Sequence, residues 1–446
     1  MDISTMISKA LSHIIYSKSI IEEKYQNGDY ILHEPKRAIT PLRNMNTNYF
    51  PSEIKQYVKN KISEGLCYDV CYEANIRGRQ VRFHVYHMGS SSSSSSSSSS
   101  VSSIVAQISR KQTLYAEMFR HVCIWLFIAY YYSSSKCSKL LDIYFYPTHF
   151  RKQRPSKKAV AFGPLHSNTA FTYICVPENS IVIYRREEWY KVFIHETCHS
   201  LGLIEHRGTH GYNASKVMDL FHLPNTQVYT DETHCEMMAT FWNMCLVSAQ
   251  ISEYKFHSSV EKRGLIDMVL YFLHEERDFA LFQIRNIFHH LDIEFDDVVA
   301  LQYKQRNQVN TNIQKSGNQK SGNQKSGNQK SGSYQEETNI FAYYVLKGIM
   351  LFYLDDYFRL HRPYFLHSKF PKDASTITKK GDTGTMMDTM MDTMMDTMKY
   401  DAKWKQLFTK CLHSSWYKKY MKISVGNMKP KYDKHEMYLT ITPEIV

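Results

Sequence analysis

The feature that most constrains this chain is the pentapeptide His195-Glu196-Thr197-Cys198-His199, an HExxH word. On a helix, residues four apart lie on one face, a turn above one another, so both imidazoles can reach a single ion. Glu196 then projects beside the pair, where it can hold and deprotonate a water on the metal. The word therefore predicts a helix, and its spacing points to hydrolytic chemistry.

The flanking sequence agrees with a helix. Glu187 and Glu188 fall in the expected first turn, where the helix dipole favours acids, and Trp189, Val192 and Phe193 recur at core spacing. Gly202 stands where such a helix stops. Upstream, residues 168–176 and 180–184 are β-branched and aromatic runs separated by Pro177-Glu178-Asn179, which predicts two strands and a turn. Residues 140–146 read as a strand ended by Pro147, and residues 104–132 as a helix. Tyr68, Val70 and Tyr72, then Val81, Phe83 and Val85, alternate with polar residues on either side of Arg77-Gly78-Arg79, as in a β-hairpin. From Thr230 onward the pattern is mostly helical, through residues 266–273, 279–290 and 340–360.

Two histidines leave a zinc site short of a third protein donor, and a catalytic site also keeps one position open. Two segments offer that donor. HExxHxxGxx continues to Glu205 and His206, with Met218 as a methionine turn, and resembles the metzincin pattern with Glu205 at the histidine position and His206 one residue late. Glu236-Met237-Met238-Ala239 resembles the ExxA word of gluzincin peptidases and needs no shift of frame. This second resemblance implies Glu236 as the third ligand. Glu232, one turn earlier, can exchange roles with it, one acid binding zinc and the other orienting an imidazole. Thr240 departs from the gluzincin pattern, where many members carry an aspartate.

Asn168 and Ala170 resemble the substrate-binding edge strand of thermolysin-like enzymes, loosened by the extra Thr169. Such a strand holds an extended peptide by main-chain hydrogen bonds. A wider likeness, over residues 140–243, is to zincin-like proteins of large DNA viruses; Arg185-Arg186-Glu187-Glu188-Trp189 and Phe193-Ile194-His195-Glu196 carry it. The resemblance implies an α+β, zincin-like fold: a small mixed β-sheet with an antiparallel edge strand packed on the HExxH helix, then a mainly helical C-terminal subdomain. The HExxH word with the gluzincin resemblance implies a zinc metallopeptidase acting on a peptide or protein substrate, with Zn2+ on His195, His199 and Glu236, and Glu196 as general base. Near the motif in sequence, His234 and Tyr229 are candidate oxyanion stabilisers. The other reading is a catalytically inactive zincin-fold structural or host-interaction protein of viral type.

With 446 residues, 43% of them hydrophobic, the chain can bury a large core in two or three subdomains. Low-complexity inserts divide it: a serine run at residues 90–100, an Asn-Gln-Lys-Ser-Gly cycle at 314–332 and a Thr-Met-Met-Asp repeat at 385–398. The first two bury too little apolar area to offset ordering entropy, so they are expected to be flexible. The third reads as an expanded loop. The expected organisation is an N-terminal helix and hairpin region (1–89), a serine insert (90–103), a catalytic core (104–306), a repeat linker (307–333), a helical region (334–375), a methionine-repeat insert (376–398) and a basic C-terminal segment (399–446).

Nine cysteines, an odd and scattered set, predict reduced thiols rather than a disulfide framework, and the three residues between Cys67 and Cys71 do not fit a zinc knuckle. Lys9, His13 and Lys18 interrupt any apolar core in residues 7–21, so no secretory signal is expected there. The longest apolar run, residues 122–132, is too short to span a bilayer. The expected location is cytoplasmic, in the host cell or virion if the protein is viral. Net charge is +12, and residues 399–434 interleave lysines with Trp404, Trp416, Tyr417 and Tyr420. We read that segment as a solvated helix face rather than a nucleic-acid contact, since no ordered nucleic-acid motif accompanies it.

Overall fold

A computed structural model describes residues 2–39, 47–89, 97–156, 160–204, 217, 219–223, 228–252, 259–299, 334, 336–360, 405–410 and 412–413. In chain order the first elements are α1 (Ile3–Gln26), β1 (Tyr30–Leu32), β2 (Lys36–Arg37), α2 (Ser52–Ser63), β3 (Cys67–Ile76), β4 (Arg79–Met88), α3 (Ser97–Tyr132) and β5 (Leu140–Phe145). Then come α4 (Pro164–Ser167), β6 (Ala170–Thr172), β7 (Glu178–Ile183), α5 (Trp189–Ser200), α6 (Thr230–Ile251), α7 (Ser259–Leu291) and α8 (Phe295–Val298). A π-helical segment (Phe341–Leu346) runs into α9 (Lys347–Phe352) and α10 (Leu354–Leu360).

The alternating residues around Arg77-Gly78 form the expected hairpin, with Ile76 opposite Arg79. Arg77 and Gly78 both have positive φ, 53° and 77°, the two-residue geometry whose twist matches paired strands. Gly78 supplies that conformation without a Cβ clash. Strands β4, β5 and β7 run parallel to one another, while β1, β2 and β6 pair antiparallel with their neighbours. The result is one open mixed sheet of order β1-β3-β4-β5-β7-β6, with β2 also on β3.

Period-two alternation gives this sheet two faces. Val81, Phe83, Val85, Leu141, Ile143 and Phe145 face a large core shared with α1, α3, α5, α6 and α7. On the other face Cys67, Tyr86, Phe171, Val182 and Tyr184 pack with Ile54, Val58 and Ile62 of α2. Every residue of α5 is buried, so this helix runs through the core instead of lying on it. Burying Phe193 or Ile194 stabilises it by about 1.5–3 kcal/mol each, which fixes the register of the HExxH word.

Several sequence expectations change here. Helix α3 reaches back into the serine run to Ser97, so the insert expected over residues 90–103 is helical in its second half. Glu187 and Glu188 do not form the first turn of α5. Glu188 is its N-cap residue at φ 56°, and both carboxylates turn to the buried Lys152, one to its backbone N–H and one to its ammonium. The expected strand 168–176 is shortened to β6 because Cys175 takes a positive φ and forms a disulfide with Cys137. That bond corrects the expectation of reduced thiols throughout, whereas Cys67, Cys71, Cys123, Cys198, Cys235 and Cys245 are free. Residues 266–273 and 279–290 belong to one helix, and residues 340–360 are broken into three segments. The Asn-Gln-Lys-Ser-Gly and Thr-Met-Met-Asp repeats, and all but a short part of the basic C-terminal segment, lie outside the described residues. Among the described residues no helix is long and apolar enough to cross a membrane.

Candidate metal centre

Helix α5 ends where Gly202 was expected to stop it. Gly202 has φ 61°, its N–H bonds His199 O at 3.0 Å, and Leu203 N–H bonds Cys198 O at 2.9 Å. These bonds close the last turn in the Schellman manner and fix His199 at the end of the helix. Further back, Trp125 of α3 donates from Nε1 to Thr197 Oγ1 at 2.7 Å, and Thr197 donates to Ile194 O at 2.6 Å. The side of α5 away from the histidines is thus bolted to the core.

On the histidine side, His195 Nε2 and His199 Nε2 face each other at 3.2 Å. Glu232 of α6 brings Oε2 to 3.3 Å from the first and 3.4 Å from the second. These three atoms form a nearly equilateral triangle. Tetrahedral ligands bound at 2.0–2.1 Å stand ~3.3 Å apart, so the edges match what a small divalent ion requires. Three lone-pair atoms this close also need a cation among them, a proton or a metal ion. Burial pushes the Glu232 carboxyl up, but the adjacent His199 and His195 rings outweigh it and hold it well below the usual carboxylate range.

Cys235 is the competing third donor, because His195, His199 and Cys235 form a buried group with donor atoms within 4.8 Å of one another. Its Sγ lies 3.8 Å from His199 Nδ1, the ring nitrogen that does not face His195. Burial raises its thiol well above the ordinary range. Glu232 meets both Nε2 atoms, the pair of nitrogens that face each other, so its position makes it the better donor.

Glu236, the third ligand implied by the ExxA resemblance, is otherwise engaged. It forms a fully buried ion pair with Lys191, one turn before His195 on the same face of α5. Its carboxyl is pushed up by burial but held low by Lys191 and Lys347. Lys347 in turn donates to Glu276 at 2.7 Å. The two helices run antiparallel, setting Glu236 against Lys191 and Glu232 against the histidines. The available signal was Lys191 itself: a lysine inside an apolar helix requires a buried acid.

These groups open onto a cleft of about 230 Å³ that contains His195, Glu196, His199, Glu232 and also Glu236. Asn168 and Ala170 line it as well, with Phe171 and Thr172 of the edge strand β6. Asn168 is fixed by a bond of 2.8 Å from Thr338 Oγ1 to its Oδ1 and one of 2.9 Å from Arg185 Nε to its carbonyl. Burial raises Glu196 to about 8, opposed by His199 and reinforced by Glu232 and Glu236. The structure does not bring His234 or Tyr229 into this lining. His234 Nδ1 and the Tyr357 hydroxyl are hydrogen-bonded at 2.5 Å, and Tyr229 is the N-cap residue of α6. Thr240 is buried two turns beyond Glu232. Glu205, His206 and Met218 lie outside the described residues.

Tyr343 is among the cleft residues that sequence reasoning missed. It sits on the π-helical segment with its ring 5.8 Å from that of His195, edge to face. Burial and the neighbouring Glu232 raise its hydroxyl well above the usual range, so it remains a donor. A π-turn shifts which residues face inward, which helical periodicity does not anticipate. Comparison of the chain with family models, curated proteins and solved structures finds no match.

Proposed function

We propose that this chain is a zinc-dependent hydrolase of zincin type, acting on peptide bonds, with His195, His199 and Glu232 as protein donors and Glu196 as general base. The carrying observation is the 3.2–3.4 Å triangle of His195, His199 and Glu232 beside Glu196 in an open cleft. A bound zinc ion would supply Lewis acidity, polarising a carbonyl and making water more acidic.

The chain's own residues provide the rest. An extended peptide fits along the edge of β6 between Asn168 and Thr172, held by main-chain hydrogen bonds. Glu196 Oε takes a proton from the attacking water and returns it to the leaving amine. A carboxyl lifted toward neutrality by burial suits both halves of that transfer. Tyr343 lines the same cleft, and its neutral hydroxyl is the candidate donor for negative charge developing on the carbonyl oxygen.

The test measures metal content and peptide cleavage on the same purified protein. Glu196→Gln is expected to retain metal at wild-type stoichiometry and to lose turnover by at least ~100-fold. Full turnover in that variant removes Glu196 from the mechanism. A second reading, a catalytically inactive zincin-fold structural or host-interaction protein, is favoured by Glu232 also standing at ion-pair distance from both histidines, so that a proton could replace the ion. Wild-type protein that takes up no metal supports it.

A further inference from the structure

The sheet face opposite the candidate metal centre carries a second cluster of reactive side chains. Cys71 on β3 and His84 on β4 are direct cross-strand partners, with Sγ 3.9 Å from Nε2. The other ring nitrogen, Nδ1, lies 2.9 and 3.2 Å from the two carboxylate oxygens of Asp69. Tyr144 of β5 stacks on the imidazole at 4.8 Å and 27°, which fixes the ring plane. A nucleophile, an imidazole that can hold its thiolate and a carboxylate that orients and charges the imidazole thus stand in sequence. We propose that Cys71, His84 and Asp69 form a thiol-exchange site at which Cys71 attacks the disulfide of a small-molecule thiol compound.

Access and surroundings separate Cys71 from the other thiols. Cys71 is 9% exposed, and the side chains of His84 and Asp69 are 15% and 24% exposed, so a small reagent has an approach. Cys67, on the same face, is fully buried, and burial with Asp69 pushes its thiol up to about 12. Burial disfavours a charged His84 ring, yet the bonds to Asp69 and Cys71 raise it to about 10. The charged and titratable groups around the pair are Lys36 on β2, Glu73 on β3, Arg82 and Tyr86 on β4, and Asp142 and Tyr144 on β5. Arg82 is bound to Asp142 at 2.6 and 2.8 Å, and Glu73 to His33 and Gln80. Cys71 Sγ has one competing contact, Tyr72 O at 3.8 Å.

In the reaction the Cys71 thiol gives its proton to solvent, the protonated His84 ring beside it holds the resulting thiolate, and the thiolate attacks one sulfur of the incoming disulfide. The S–S bond breaks as the new one forms, and the departing thiolate takes a proton from solvent. The product is a mixed disulfide on Cys71, with no net oxidation and one small thiol released.

The test labels the native full chain with iodoacetamide between pH 6 and 9 and follows each cysteine peptide by mass spectrometry. Cys71 is expected to react at least ~10-fold faster than Cys67 at neutral pH, because the thiolate is the nucleophile. His84→Gln and Asp69→Asn should each abolish that advantage without moving the thermal transition. Treatment with glutathione disulfide should give an adduct on Cys71. Labelling of Cys71 at the rate of Cys67, an unchanged rate in His84→Gln, or no adduct overturns the proposal. Should His84→Gln not fold, an unchanged rate in the milder Asp69→Asn overturns it equally.

Discussion

Glu232 and Glu236 are the same residue type one turn apart on α6, and their neighbours assign them different roles. Both line the cleft, but Glu236 neutralises Lys191 with both side chains almost wholly buried, whereas Glu232 meets His195 and His199. Glu236→Gln should therefore destabilise the protein by about 3–5 kcal/mol, the usual result of leaving one buried charge unpaired, yet retain its metal. Glu232→Gln should fold normally and bind metal at least ~10-fold more weakly. Urea unfolding and metal titration of the two variants separate these effects, and a reversed pattern would return the third-ligand role to Glu236. His195, Glu196 and His199 were legible in the sequence because one helix fixes their spacing. The choice between the acids was not, since it depends on the direction in which a second helix crosses the first.

At the scale of elements, the site depends on how α5 is anchored. Its C-terminal end is tied to the β6–β7 turn, where Cys175 N–H bonds His199 O at 3.2 Å, and to the segment before β5, where Ser138 Oγ bonds Ser200 O at 2.8 Å. The Cys137–Cys175 disulfide, which closes 38 residues, joins the two segments that make those bonds. Chain entropy for a loop of that length corresponds to about 4 kcal/mol. Cys137→Ser should lower stability by up to that amount, read as a fall in the urea midpoint; dithiothreitol should do the same to the wild type and nothing to the variant. An unaltered midpoint in both would show that the disulfide carries no stability. The hairpin, β5 and the HExxH helix were legible as elements from alternation, Pro147 and Gly202. The disulfide was not, because no spacing reveals that two distant cysteines meet at the end of a helix.

For the whole molecule, the large core imposes a pH limit. His121 on α3 and His13 on α1 are both lowered to about 4, chiefly by burial, with Arg120 and Lys18 adding for His121 and Lys9 for His13. Both rings are neutral when folded but protonate near 6.5 in the unfolded chain. Between pH 6.5 and about 4 the unfolded state binds the extra protons, so their stabilisation is complete above 6.5 and is lost as the pH falls. Each ring should contribute roughly 1 kcal/mol of loss per pH unit in that window. Urea midpoints at pH 7.5 and 5 should fall accordingly, and His121→Phe should flatten the slope; an unchanged slope would mean that His121 does not carry it.

The sequence alone determined the hairpin, β5 and the HExxH helix, and that two imidazoles lie one turn apart on that helix with an acid beside them, because these follow from periodicities of 3.6 and 2 along a local stretch of chain. Tertiary structure decided which acid completes the triangle, that Tyr343 enters the cleft and that Cys71 meets His84 and Asp69 across two strands. Those outcomes depend on helix crossing and strand register, which bring together residues whose separation along the chain carries no trace of their meeting.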